Sequence, residues 1–205
     1  MRSMDSEIPV VGIDEVGRGP LAGPVSICAV IARGGVLSAI KASTFFTDSK
    51  KMTEKRRESV FKIACEEREM GRLNFAVSSV SAEVIDSVGI NRAVSIGLER
   101  SLKKLEIKHD TPILLDGGLK APARYLYQSI IEKGDLKEDA IALASVLAKV
   151  SRDRKMARYD RRFLGYGFLS NKGYGTKGHI ESIKRMGCCE IHRRTYLRSI
   201  FSYPQ

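Results

Sequence analysis

Four acidic residues, Asp14, Glu15, Asp116 and Asp135, stand where apolar runs of the chain end: "VVGIDE" closes on the first two, "ILLDGG" contains the third and "SIIEKGD" leads to the fourth. Strand ends and the loops beyond them are where α/β sheets bring side chains from distant sequence together. Carboxylates gathered without a Cys/His set select hard, oxygen-preferring cations, Mg²⁺ or Mn²⁺ above all, and Mg²⁺ keeps waters or substrate phosphate oxygens as its remaining ligands. Two such ions about 3.5–4 Å apart could activate an attacking water and stabilise a leaving oxygen in phosphodiester hydrolysis. The competing reading is that strand-terminal aspartates cap turns and helices. Geometry also objects, because successive strand residues point to opposite faces and an ideal strand cannot send both Asp14 and Glu15 into one pocket. Either the strand ends or twists there, or Glu15 approaches from the far side.

The elements that must position these acids follow from the apolar pattern. "IPVVGIDE", a Gly/Pro turn and "PVSICAVIA" read as two short β-branched-rich runs joined tightly in an antiparallel hairpin. Residues 54–69 carry Val60, Ile63 and Ala64 at helical spacing among charges, with Gly71 as a stop. A third strand is expected over 72–80. A further amphipathic helix is expected over 91–105, where Val94, Leu98, Leu102 and Leu105 share a face. Residues 111–118 predict a short buried strand, and 123–131 (ARYLYQSII) another strand. Residues 137–163 are rich in Ala and Leu and then heavily basic, which predicts a core helix with a charged extension. No repeat or composition break divides the chain, so the expectation is one α/β domain over 1–205 with a mixed sheet and a helical part from about 160 to 205.

With 35 Lys and Arg against 24 Asp and Glu, a formal charge of +11, the 205-residue chain offers a positive field to a polyanion, nucleic acid first. A merely basic enzyme has the same composition. Cys28, Cys65, Cys188 and Cys189 form no C-x-x-C motif, which fits reduced thiols in a cytoplasm. The first apolar stretch is interrupted by Gly12, Asp14 and Glu15 before it could serve as a signal or a membrane span.

The segments "GIDEVGRGPLAGPV", "DSKKM", "LLDGG", "KGD", "IALASVLAKVSRDR", "NKGYGTKGH" and "IHRRTY" occur in this order from about residue 10 to residue 198. As an ordered set they closely resemble bacterial ribonuclease HII. The resemblance implies a ribonuclease H-like fold, a mixed β-sheet flanked by helices with a helical C-terminal region. It also implies an endonuclease that cuts the RNA strand of RNA–DNA hybrids and, in duplex DNA, the 5′ side of single embedded ribonucleotides, leaving 3′-hydroxyl and 5′-phosphate ends. Carried over by motif, the catalytic, metal-binding acids are Asp14, Glu15, Asp116 and Asp135, holding two Mg²⁺ or Mn²⁺ ions.

The resemblance further implies that Gly17, Arg18 and Gly19 read the ribose 2′-hydroxyl, helped by Tyr174, and that Lys50 stands near the scissile phosphate. Ser145 and Lys149 would hold the active-site helix and contact backbone phosphate. On the residues alone, Gly17 and Gly19 could be a plain tight turn, Tyr174 a cover on the core, Lys50 a solvated lysine and Ser145 a packing residue. Arg152, Arg154, Lys155, Arg158, Arg161 and Arg162 could track duplex phosphates or form a solvated helix face. His192 falls on a family motif without a clear role there and is left out of the catalytic set. Gly89 stands where the family usually has Asn.

The chain starts almost directly on its first strand and ends on "SYPQ". The expectation is a chain without the N-terminal substrate-binding domain of ribonuclease HIII and without a clamp-binding tail, with a monomer as the default. The alternative from another class is a non-catalytic, basic duplex-binding protein that uses its acids only as caps.

Overall fold

In the computed structural model, which describes residues 9–46 and 49–198, the predicted hairpin is formed by β1 (Val10–Val16) and β2 (Val25–Ala32), antiparallel with Asp14 opposite Cys28. The leading "MRSMDSEI", Asp48 of "DSKKM" and the "SYPQ" tail lie outside the described residues. β3 (Leu73–Val80) extends the antiparallel part, while β4 (Ile113–Asp116) and β5 (Gln128–Ile131) add to the other side of β1 in parallel. The five-stranded order is β3-β2-β1-β4-β5. β2 is buried on both faces, which explains its unbroken apolar run: Cys28, Val30 and Ala32 face one core, and Val25, Ile27 and Ala29 face the other.

The first core lies under α1 (Gly34–Thr44), α2 (Glu54–Glu69) and the long α6 (Asp139–Arg162). Every residue of α6 from Ala140 to Ala148 is buried, and its alanines let the helix lie against β1 so closely that a Cβ on Gly12 would come within 2.2 Å of the Ala140 carbonyl carbon. The second core lies under α3 (Ala82–Val88) and α4 (Ile90–Lys104), which contribute Ile85, Ala93, Val94, Leu98 and Leu102. α5 (Gly134–Lys137) is a single turn before α6. Beyond α6, the described residues form α7 (Phe168–Asn171), α8 (Lys177–Met186) and α9 (Arg194–Leu197). They surround a third, smaller cluster centred on Phe168, Met156 and Ile183. Among the described residues no helix is long and apolar enough to cross a membrane.

The strand expected over 123–131 forms only at its end. Tyr125 turns into the second core, its N–H bonded to Pro122 O, and the Gln128 side chain bridges the Ala121 N–H and Tyr125 O. That turn replaces ladder hydrogen bonds. Neither α1 nor α3 was anticipated. α1 opens on two glycines with no side-chain cap, so its local signal is weak and burial of Leu37 and Ile40 holds it in place.

Candidate active site

Asp14 and Asp116 occupy corresponding positions on adjacent parallel strands, one residue beyond the last β1–β4 pair, Ile13 with Leu115. Ile13 and Leu115 face the α4 side, so alternation turns both aspartates to the α6 side. Glu15 pairs with Ile27, another residue of the α4 side, and so leaves β1 on the opposite face from Asp14. The strand does not break, for β1 runs to Val16. Instead β4 stops at Asp116, leaving the edge of β1 open at Asp14 and Glu15, and Glu15 reaches the same cleft from the far side. Asp116 Oδ1 accepts the Gly134 N–H at 2.7 Å, which ties the β5–α5 turn carrying Asp135 to the end of β4.

These four acids line one cleft of about 310 Å³ together with Gly17, Arg18, Gly19, Lys50, Ser145, Lys149 and Tyr174. All eleven residues singled out by sequence are therefore brought to one place. The α6 wall is hydrogen-bonded throughout: Ser145 favours the charged form of the Asp14 carboxylate and lies 2.9 Å from the Ser49 hydroxyl, and Lys149 Nζ donates to Asp153 Oδ1 at 2.8 Å. Asp153 also faces Arg57, which donates to the carbonyls of Ser49 and Met52 on the two sides of Lys50. Asp153 and Arg57 thus set the segment that carries Lys50. Asp153 was not anticipated from the sequence, where its i, i+4 spacing from Lys149 is the signal that could have found it, and nothing local marks the Arg57 contact.

On the opposite rim Arg18 donates to Asn91 Oδ1 on α4 and lies 3.5 Å from Glu15 Oε1. Gly89, two residues before Asn91, is the joint between α3 and α4, with φ at 78°. Gly17 has φ at 93°, and a Cβ there would lie 2.3 Å from Arg152 Nε, so internal packing accounts for this glycine. A Cβ on Gly19 would meet nothing within 4 Å. Arg152 corrects the expectation of a phosphate-tracking run: it is fully buried and donates to the carbonyls of Pro24, Ala22 and Lys172. Arg154 and Arg162 pair with Glu58 and Glu190, leaving Arg158 and Arg161 exposed.

Tyr174 is held beside the Gly17–Pro24 loop because Gly173 O accepts the Leu21 and Ala22 N–H groups, at 2.8 and 3.2 Å. Beneath it lies a buried histidine pair. His179 Nδ1 donates to Tyr174 O at 2.8 Å, which leaves His179 Nε2 to accept from His192 Nε2 at 3.1 Å, while His192 Nδ1 accepts the Cys189 N–H at 2.9 Å. His192 is therefore a support for the rim loops. Protonating either ring would set two N–H groups against each other. Burial pushes both rings down, His192 to about 4 with the neighbouring His179 adding to the effect.

The unfolded rings, with an ordinary value of 6.5, take up protons that the folded pair refuses. The pair's contribution is intact above pH 6.5 and is lost as pH falls from there toward about 4. His192→Asn keeps an acceptor for Cys189 and removes one titrating ring, so urea melts across this range should show a shallower acid loss than in the parent. Equal slopes would remove the pair as the cause.

Burial, with repulsion among the acids, works against the charged forms of the first two carboxyls. Burial pushes the Asp14 carboxyl up to about 8, with Glu15 and Asp116 adding repulsion, and burial raises Glu15 despite Arg18. Glu15 Oε2 is buried with no hydrogen-bond partner. Among the described residues no three His, Cys, Asp or Glu side chains are already drawn in to the spacing of a complete metal site. An all-oxygen set with an orphaned carboxylate oxygen nevertheless fits a hard divalent ion that keeps water and phosphate oxygens in its shell.

A mixed sheet in the order β3-β2-β1-β4-β5, with carboxylates collected at the ends of two adjacent parallel strands, defines a ribonuclease H-like hydrolase. The model of the Ribonuclease HII family matches residues 11–202. A ribonuclease HII of Endomicrobium trichonymphae is 44% identical over 188 residues, 92% of this chain and 85% of the relative. The ribonuclease H2 of Pyrococcus horikoshii superposes with a TM-score of 0.69 at 25% identity, over 94% of this chain and 97% of that one. The fold of the Archaeoglobus fulgidus RNase HII solved with PCNA is likewise similar, with a TM-score of 0.72 at 24% identity, over 91% of this chain and 94% of that one. The chain belongs to the ribonuclease HII family, metal-dependent hydrolases that act on RNA–DNA hybrids.

Proposed function

We propose that the protein cuts the RNA strand of hybrids and also incises duplex DNA on the 5′ side of a single embedded ribonucleotide, leaving 3′-hydroxyl and 5′-phosphate ends. The observation that carries this reading is the composition of one cleft, which gathers four carboxylates together with Gly17, Arg18, Gly19 and Tyr174. Asp14, Glu15, Asp116 and Asp135 would hold two Mg²⁺ or Mn²⁺ ions, which supply an activated water and charge at the leaving oxygen.

The chain's own residues do the rest. Ser145 favours the charged form of Asp14, and the Gly134 N–H fixes Asp116. Lys50 and Lys149 place positive charge beside the acids, where a phosphate would be drawn in. The Gly17–Gly19 backbone offers hydrogen bonds to the 2′-hydroxyl, the group that separates RNA from DNA. The ring of Tyr174, 43% exposed at the cleft, is available to pack on the adjoining sugar.

The test is a DNA duplex with one ribonucleotide, incubated with Mg²⁺, Mn²⁺ or EDTA, with the cut mapped. Metal-dependent incision 5′ to the ribonucleotide is the expected result. Equal cutting of an all-DNA duplex sinks the reading, and binding without product at any metal concentration favours the non-catalytic alternative.

Gly19 sharpens the assignment, because internal packing gives no reason for a glycine there. Gly19→Ala should leave stability within about 0.5 kcal/mol of the parent. Incision at a single ribonucleotide should nevertheless fall by about tenfold, since a methyl now stands where the substrate approaches. Unchanged incision kinetics would take Gly19 out of the substrate contact.

A further inference from the structure

The loop Gly17–Pro24 is held in shape from the other end of the chain. Gly23 N–H donates to Ile191 O and Arg193 N–H to Leu21 O, both at 2.8 Å, and Ala22 and His192 form an antiparallel bridge. The Arg193 side chain, fully buried, donates through Nη2 to Gly17 O at 2.6 Å, through Nη1 to Arg18 O at 2.7 Å and through Nε to Gly23 O at 3.0 Å. The Tyr196 hydroxyl donates to Arg18 O at 3.1 Å, so that carbonyl has both lone pairs engaged. Asp86 on α3 anchors the whole strap by accepting from the Arg194 and Thr195 N–H groups and the Thr195 hydroxyl.

A planar trans peptide points one residue's carbonyl and the next residue's N–H in opposite directions. Drawing the Gly17 and Arg18 carbonyls onto the buried guanidinium therefore turns the N–H groups of Arg18 and Gly19 away from it, while Gly17, Arg18 and Gly19 line the cleft on their other side. Among the described residues neither amide donates to a protein acceptor. Two adjacent backbone donors with no internal partner form a ready concavity for a ligand oxygen.

We infer that Arg193, assisted by Tyr196, is the positioning residue behind the cleft's ribonucleotide preference: it fixes the peptides whose Arg18 and Gly19 N–H groups meet the 2′-hydroxyl oxygen. This rests on the sugar-reading role proposed above for the same loop. Burial pushes the guanidinium down to about 10, so it stays cationic at neutral pH and can hold three carbonyls at once. A lysine keeps the charge but lacks the planar fork that reaches carbonyls in three directions.

The experiment compares the parent, Arg193→Lys and Tyr196→Phe in Mg²⁺. For each, it measures KM for a duplex with one ribonucleotide and the inhibition constant of the all-DNA duplex of the same sequence. In Arg193→Lys the ratio of the second constant to the first should fall by about tenfold, because one well-placed hydrogen bond to the sugar is lost while phosphate contacts remain. Tyr196→Phe, which keeps the ring and removes a single donor, should lower the ratio by about threefold. A purely structural role would reduce kcat through fewer active molecules and leave the ratio alone. An unchanged ratio in folded Arg193→Lys overturns the inference, and if that variant does not fold, an unchanged ratio in Tyr196→Phe does so. A parent that fails to distinguish the two duplexes would instead take down the sugar-reading role, and the inference with it.

Discussion

Asp116→Asn is expected to lower hydrolysis of an RNA–DNA hybrid by on the order of a thousandfold, equivalent to roughly 4 kcal/mol of barrier, with duplex affinity within a few-fold of the parent. The separation follows from the two oxygens of this carboxylate. Oδ1 accepts the Gly134 N–H, a role the amide oxygen of Asn can keep, so the turn that carries Asp135 should hold its place. The other oxygen becomes an NH₂, which cannot ligate a cation, so in the proposed site the cluster would lose a charge that the bound ions call for. Stability should move the other way. Asp116 raises the energy of ionised Asp14 and Glu15, so its neutralisation relieves repulsion in the metal-free protein, and the thermal midpoint in EDTA should not fall. Hybrid cleavage measured beside fluorescence anisotropy checks both halves. Turnover within tenfold of the parent would remove Asp116 from the metal-binding set.

Gly12→Ala should destabilise the fold by about 3 kcal/mol or more, toward the upper end for overpacking. The added methyl would meet the Ala140 carbonyl carbon at 2.2 Å and its oxygen at 2.4 Å. These are backbone atoms, and no side-chain rotation can relieve the contact, so β1 and α6 must separate. Asp14 stands two residues further along β1, and Ser145 little more than a turn along α6. The separation should therefore move Ser145 away from the Asp14 carboxylate it supports and lower turnover even in molecules that remain folded. A urea melt with a midpoint equal to the parent's would show that the two elements have slack at this crossing.

The hairpin, α2, β3 and α4 were legible because each carries its own pattern: β-branched apolar runs for strands, and apolar residues three and four apart for helices. α6 was legible from its Ala- and Leu-rich composition running into a basic extension. The four acids were legible because each closes or follows an apolar run, and such runs end where distant segments of an α/β sheet converge. Elements whose stability comes from distant partners were not. α1 is held by what its buried side chains meet, and residues 123–127 follow the burial of Tyr125 and the reach of Gln128 rather than their β-prone composition.

The sequence by itself determined the chemistry this protein can attempt: an all-oxygen acidic set, a basic surround and a glycine-flanked arginine next to the first two acids. Tertiary structure alone decided how those pieces act together. Glu15, on the wrong face of its strand, enters the cleft because β4 stops at Asp116 and leaves the sheet edge open. Arg152, to all appearance one more cation in a basic run, is instead a buried tie between two rim loops. Arg193, more than 170 residues from Gly17, sets that glycine's carbonyl. The physical reason is common to all three. Residue type and local period fix which groups a segment offers, but a carbonyl, a guanidinium or a strand edge finds its partner only when sheet order and helix packing bring distant segments within hydrogen-bonding reach.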